Sequence, residues 1–265
     1  MEAVYWKGDE VAATALAEFA DRAGPWPGMP ALDSALIRLI VTRSAERFDS
    51  VTRGRLPSWS GGAAFPRSNT VVIMLAGDPF GTLAHELAHL ALHRAAPRLP
   101  LWFAEGYAAR AAQEWGRLDA LGLNWALMTG DIPSFGRLNA ELRSGPTHAR
   151  AAYALATAAV LFLERLGRER GLGPLIANAG ATGSFERAVR RTHLVTLDQL
   201  EAMWHRDISA RYGWLRIFTS FALFWSVTAV VVGVVWARRR RRDRDRKALL
   251  DEGWVIPPEE PQNPA

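Results

Sequence analysis

The sequence contains no cysteine among its 265 residues. This absence excludes disulfides, thiolate-bound metals, iron–sulfur clusters and cysteine nucleophiles. Histidine is also scarce, with six in the chain. Any metal site must therefore be built from these few histidines together with aspartate or glutamate. A chain of this length that is 49% hydrophobic and 22% charged can bury a sizeable core, which excludes a disordered or collagen-like protein.

Outside one short segment, the sequence has little net charge. The formal charge is +5, but residues 238–247 hold eight Lys or Arg and two Asp, a net charge of +6. The rest of the chain is therefore close to neutral, at −1. A nucleic-acid binder needs basic residues spread over a folded surface, so we expect no nucleic-acid partner.

One long apolar run lacks any charged residue. Residues 217–237 read IFTSFALFWSVTAVVVGVVWA, with Trp214 and Trp236 near its ends. A helix of this length reaches about 32 Å, close to the thickness of a bilayer's hydrocarbon layer. We therefore predict a transmembrane helix over 213–237, in contact with membrane lipid. The alternative is a long helix buried in a protein core.

The charges beside this run predict its orientation. The arginine-rich segment follows it directly, and the positive-inside rule assigns such a segment to the cytoplasm. We expect an extracytoplasmic domain over 1–212 and a cytoplasmic tail over 238–265, which together describe a single-pass protein of the cell membrane. The N-terminus is acidic and amphipathic and shows no signal peptide, although export of the domain requires one. Either a signal peptide is missing from the start of the sequence, which is the interpretation we favour, or the apolar helix inserts as a C-terminal anchor with an unusual orientation.

Strand-like patterns occur only in the first third of the chain. The predicted strands cover residues 35–42, 61–66 and 70–76, and helices are predicted over 10–23 and 45–53. Beyond residue 79 the periodicity is helical, with segments over 80–95, 102–115, 149–168, 172–179, 184–192 and 197–211. A small sheet followed by helices predicts an α+β fold.

The chemistry-bearing residues concentrate in the segment HELAH. His85 and His89 are four residues apart, so on a helix both imidazoles can converge on one metal ion. Glu86 projects beside them, where it can take a proton from a water activated by the metal. Zinc suits such ligands because it accepts nitrogen and carboxylate oxygen in tetrahedral geometry. Glu105, in the segment WFAEGYA, is a third candidate ligand.

The two motifs together resemble the gluzincin branch of zinc metallopeptidases, and are most similar to bacterial peptidase MA-like domains. The resemblance covers about residues 35–210. It implies a zincin, thermolysin-like catalytic domain. By the matching positions, His85, His89 and Glu105 would be the zinc ligands and Glu86 the general base.

The sequence offers two alternatives to Glu105 as the third ligand. His93 continues the spacing of the two histidines but lies about 12 Å along the helix axis from His85, too far for one ion. The metzincin pattern would need a histidine where Ala95 stands. Glu105 remains the better candidate.

The oxyanion formed during hydrolysis needs a hydrogen-bond donor besides the metal. The resemblance implies Tyr153 in this catalytic role, and His148 and Tyr107 are the other candidates. Related enzymes often carry an aspartate, four residues after the ligand glutamate, that orients a ligand histidine. Ala109 stands there, so either a backbone carbonyl or another acid such as Asp119 or Glu114 acts instead, or the site is held less firmly.

These observations predict a membrane-anchored zinc metallopeptidase that hydrolyses peptide bonds of a peptide or protein substrate outside the cytoplasmic membrane. The alternative is a catalytically weak or inactive zincin-fold binding module of the cell envelope. An intramembrane protease is excluded because the segment 80–95 is too short and polar to span a bilayer. Trp102, Trp115 and Trp125 either line a groove or, as we expect, fill the core.

Overall fold

The computed structural model describes residues 1–30, 37–54, 60–114, 123, 132–144 and 146–252. Side chains are described for these residues except 146–150, 212–223, 245 and 247–252. The chain divides into two compact units, Met1–Gly213 and Trp214–Ala265. It is mostly helical and contains a small four-stranded sheet.

The sheet has the strand order β1-β2-β4-β3. The strands are β1 (Glu2–Tyr5), β2 (Arg38–Thr42), β3 (Gly62–Phe65) and β4 (Thr70–Met74). β1 and β4 each pair parallel with β2, and β3 pairs antiparallel with β4 at an edge. The three strands predicted from the sequence are confirmed within a few residues. β1 was not predicted, because its residues are mostly exposed and lack an apolar alternation.

The helices follow the sheet along the chain, apart from two near the N-terminus. In the described residues they are α1 (Glu10–Arg22), α2 (Ala45–Thr52), α3 (Pro79–Ala95), α4 (Leu101–Ala111), α5 (Phe135–Glu141), α6 (Pro146–Leu166), α7 (Gly173–Thr182), α8 (Phe185–His193) and α9 (Leu197–Glu252). Two short 3-10 turns cover Pro66–Ser68 and Arg168–Arg170.

The two faces of the sheet are covered by different helices. Leu39 and Ile73 are fully buried in the main core with α1 and α3. The alternate residue Val72 lies in a smaller cluster with Phe48 of α2. This alternation follows from the two-residue repeat of a strand, and it fixes the face of the sheet on which α3 lies.

The boundaries of α3 are set by local chemistry. The Asp78 side chain caps the helix by accepting a hydrogen bond from the Gly81 N–H at 3.0 Å, and Pro79 occupies the first turn. Leu83, Leu87 and Leu90 bury one side of the helix in the main core. The prediction of a helix over 80–95 is confirmed.

An aromatic cluster fixes the position of α4. Trp102 is fully buried and stacks on Phe135 of α5 with ring centroids 4.2 Å apart, and Phe135 stacks on Trp204 of α9 at 5.0 Å. Trp102 is therefore a core residue, as expected, whereas Trp115 and Trp125 lie outside the described residues.

The crossing of α4 and α6 is close enough to require a glycine. A Cβ atom at Gly106 would overlap the backbone carbonyl of Ala156. The absence of a side chain at Gly106 therefore lets the two backbones come into contact and brings Glu105 of α4 beside α6.

The predicted transmembrane helix over 213–237, which was part of the predicted fold, is wrong. Among the residues that the structure describes, no helix is long and apolar enough to cross a membrane. The segment belongs to α9, which continues through the arginine-rich sequence to Glu252.

Candidate metal centre

α3 brings the two histidines of HELAH to one side of the helix. The Nε2 atoms of His85 and His89 lie 3.1 Å apart, and their ring centroids are 4.8 Å apart. The side chains are 15% and 20% exposed, so the rings are largely buried but open on one side. Spacing by four residues on a helix produces this approach, because the two positions are about one turn apart.

Glu105 reaches the same point from α4. Its Oε2 atom lies 3.6 Å from Nε2 of His85 and 3.6 Å from Nε2 of His89. The close packing of α4 on α3 therefore brings Glu105 to the two histidines, although it lies 16 or more positions after them in the sequence. The three side chains together supply one group of three donor atoms. Among the residues that the structure describes, His85, His89 and Glu105 form the one group of three histidine or carboxylate side chains that could hold a metal ion.

The three donor atoms fit a tetrahedral zinc site. Zinc–nitrogen and zinc–oxygen bonds of about 2.0–2.1 Å at tetrahedral angles separate the ligand atoms by about 3.3 Å, and the observed separations are 3.1 and 3.6 Å. Two imidazole nitrogens this close cannot both present lone pairs to each other. A proton or a cation must lie between them, and the nearby carboxylate adds the negative charge that a cation prefers.

The charges of the three side chains depend on one another. Burial by itself lowers the pKa of His85, but its hydrogen bonds with Glu105 and Glu114 and the nearby carboxylate charges raise it to about 10. Burial favours the neutral form of Glu105, yet hydrogen bonds from His85 and His89 hold the pKa of its carboxyl well below the usual range. The cluster thus holds a positive charge against Glu105.

A fourth side chain, Glu114, orients His85. Its Oε1 atom lies 3.0 Å from Nδ1 of His85, which fixes the proton on Nδ1 and leaves Nε2 free for a metal. The chain turns back after α4 because Gln113 adopts a left-handed conformation and the Glu114 N–H donates to the Ala109 carbonyl. Of the alternatives predicted for this role, the structure brings Glu114 to His85, while Asp119 lies outside the described residues.

Glu86 lies beside the three donor atoms but is not one of them. The β3 strand passes so closely that a Cβ on Gly62 would lie 2.9 Å from Cγ of Glu86. Burial raises the pKa of the Glu86 carboxyl, an effect only partly offset by the two histidines. A glutamate in this environment accepts a proton more readily than an exposed one. Sequence reasoning missed Gly62, and its one signal was the Gly61-Gly62 pair at the start of a predicted strand.

A cavity of about 860 Å³ opens over the cluster. Glu86, His89, Glu105 and Tyr153 lie in its wall, together with the edge strand β3. The volume is in the range of a typical ligand-binding cleft. The cavity therefore gives a substrate access to the candidate metal ligands and to a separate carboxylate.

The three candidate oxyanion donors have different surroundings. Tyr153 of α6 lines the cavity, and burial together with Glu105 raises the pKa of its hydroxyl, so the phenol stays protonated. Tyr107 is fully buried, and its hydroxyl donates to the Pro27 carbonyl at 2.8 Å. The side chain of His148 lies outside the described residues. His93 is exposed and is not part of the ligand group.

Comparisons with known proteins give no further assignment. No protein-family profile matches the chain, and no curated protein is significantly similar to it. The resemblance to gluzincins therefore depends on the HELAH and WFAEGYA motifs, and the functional argument depends on the arrangement of their side chains.

Proposed function

We propose that this protein is a zinc-dependent peptidase whose metal ligands are His85, His89 and Glu105. One observation carries the proposal: two imidazole nitrogens and a carboxylate oxygen converge within 3.1–3.6 Å at the wall of a cavity, with a further carboxylate beside them. Three protein ligands leave one tetrahedral position open, which is the pattern of catalytic rather than structural zinc sites.

The side chains around the cluster have complementary roles in hydrolysis. Zinc supplies Lewis-acid polarisation of the substrate carbonyl. Glu86 takes a proton from the attacking water and delivers it to the leaving amine. Tyr153 donates a hydrogen bond to the developing oxyanion. Glu114 holds His85 in the tautomer that presents Nε2 to the metal.

The first test separates metal binding from catalysis. The zinc content of the full-length protein is measured after dialysis, in parallel with His89→Ala and Glu86→Gln, and hydrolysis of a peptide library is followed by mass spectrometry. We expect one zinc per chain in the parent and in Glu86→Gln, and none in His89→Ala. Loss of the general base should lower turnover by about 10²–10⁴-fold.

The outcomes distinguish the parts of the proposal. A folded parent protein without zinc would contradict the metal centre. Full turnover by Glu86→Gln would contradict the role of Glu86 alone. A parent that binds zinc but cleaves no peptide in the library would contradict the peptidase activity and favour a binding module that uses the same site.

A further inference from the structure

A second cavity, of about 680 Å³, lies where three helices end or begin. Its wall includes Leu166 at the end of α6, Pro174 at the start of α7 and His193 at the end of α8. Met203 of α9 adds a further apolar surface. None of the candidate metal ligands lies in this wall, so the cavity is separate from the proposed active site.

The polar side of this cavity carries two arginines on one short turn. Arg168 and Arg170 belong to the 3-10 turn that joins α6 to α7, and both line the cavity. Neighbouring arginines are neutralised, since Arg165 pairs with Asp207 at 2.7 Å and Arg190 with Glu186 at 3.1 Å. Within the described residues, Arg168 and Arg170 form no such ion pair.

The backbone of this turn is held in an uncommon conformation. Arg168 has φ 52°, in the left-handed region that a residue with a side chain seldom adopts. Gly171 reverses the chain immediately afterwards, also at positive φ. Such strain persists where the surrounding structure fixes it.

His193 also lies in the wall of this cavity. Its Nε2 atom is buried and has no hydrogen-bond partner in the described structure. Burial and the positive charge of Arg170 lower the pKa of the ring. The neighbouring Thr192 is already engaged, because its hydroxyl accepts from Asn178 at 2.9 Å. The Nε2 atom of His193 therefore lies beneath the cavity surface and does not face the cavity.

We propose that this cavity binds a small organic anion. Its oxyanion head would lie against Arg168 and Arg170, and its apolar body against Leu166, Pro174 and Met203. Arginine is the side chain best suited to bind phosphate and carboxylate oxygens, because its fork of N–H groups matches them. The cavity volume falls in the range of small-molecule sites.

The test measures binding of defined probes to the full-length protein by calorimetry. Hexyl phosphate and hexanoate share the anionic head and the apolar body, and they distinguish a phosphate from a carboxylate ligand. Hexylammonium tests whether the cavity prefers an anion to a cation. Inorganic phosphate, which has no hexyl chain, tests whether the apolar body contributes to the affinity. We expect at least one hexyl anion to bind at one site per chain, more tightly than inorganic phosphate, and no binding of hexylammonium.

Matched variants locate the site. Arg170→Gln should weaken binding about tenfold or more, since a hydrogen bond to a charged group contributes about 1.5–3 kcal/mol. Arg191→Gln removes an exposed charge from the same region outside the cavity and should leave the affinity unchanged. Glu169→Gln removes the one carboxylate from the cavity wall and should strengthen binding.

Several results would overturn the proposal. These are binding of neither hexyl anion, equal binding of hexylammonium, and the same loss in Arg191→Gln as in Arg170→Gln. If Arg170→Gln fails to fold, the strengthening expected of Glu169→Gln still decides the matter, because weaker or unchanged binding there contradicts the charge argument. Zinc binding and peptide hydrolysis do not enter this test.

Discussion

At the scale of single residues, the geometry of the candidate centre depends on where the protons of its histidines lie, and each neighbouring side chain restricts those positions. The Nε2 atoms of His85 and His89 are too close to coexist without a proton or cation between them, and Glu105 balances that charge. Glu114 fixes the other nitrogen of His85. Four side chains thereby restrict one another to a single arrangement suited to binding a metal.

Glu114 offers a direct test of this arrangement. Replacing it by glutamine removes the charge that holds the Nδ1 proton of His85, and zinc affinity should fall about 10–100-fold. Competition with a fluorescent chelator measures the affinity. Glu186→Gln is the control, because Glu186 is an exposed partner of Arg190 on α8. Equal affinities in the parent and in Glu114→Gln would contradict the orienting role.

His193 predicts a specific dependence of stability on pH. Its pKa in the folded protein is lowered from 6.5, so the unfolded chain binds the proton more readily. The stability contributed by the neutral ring is fully present above about pH 6.5, the unfolded pKa, and is lost as the pH falls below it through the lowered pKa of the folded protein. Urea unfolding at several pH values should show a larger loss on acidification in the parent than in His193→Gln. Parallel curves for the two proteins would contradict this.

At the scale of elements, the site is formed by contacts between β3, α3 and α4. The edge strand passes directly over Glu86, and α4 meets α6 at Gly106, which leaves Glu105 beside the two histidines. Both approaches depend on the absence of a side chain on a glycine. A small shift of either element would move a carboxylate relative to the histidines, and misplacement by about 1 Å can cost 10²-fold in rate.

Gly62 tests the contact between strand and helix. A Cβ at this position would lie 2.6 Å from Cγ2 of Thr82 and 2.9 Å from Cγ of Glu86, so Gly62→Ala requires β3 or these side chains, including the proposed general base, to shift. We expect kcat to fall about tenfold or more with one zinc per chain retained. Gly61→Ala is the control, since its Cβ would meet Thr82 at an ordinary 3.7 Å. Similar kcat values in the two variants would argue against the contact.

At the scale of the whole molecule, a common core links the candidate metal ligands to distant parts of the chain. Trp102 beside the second motif stacks on Phe135, which stacks on Trp204 near the start of α9. The ligands of α3 and α4 are therefore correctly spaced only when the main core is formed. Metal binding should accordingly be coupled to global folding.

This coupling predicts that zinc stabilises the protein against unfolding. At a free zinc concentration 100 times the Kd, the expected gain is about 2.7 kcal/mol, which is measurable as a rise in Tm. Glu105→Gln should lose most of the gain, because it removes one of the three ligands. A matching rise in Tm for the parent and the variant would show that zinc acts elsewhere on the chain.

Local sequence patterns were sufficient for much of the fold. The buried run of β4, the capped start of α3 and the i, i+4 histidines are each specified by residues close together in the sequence, so they could be predicted. β1 could not, because its pairing with β2 depends on residues more than 30 positions away. The transmembrane prediction was wrong, since no helix among the described residues is long and apolar enough to cross a membrane.

The sequence by itself determined which residues are chemically able to form the centre, since the spacing of His85 and His89 brings two imidazoles to one face of a helix. Only the tertiary structure decided which carboxylate orients His85, because Glu114 is 29 residues away and reaches it through the turn after α4. It also decided that Tyr153 and not Tyr107 lines the cavity. Helical spacing follows from bonds within one segment, whereas these choices follow from how separate segments pack together.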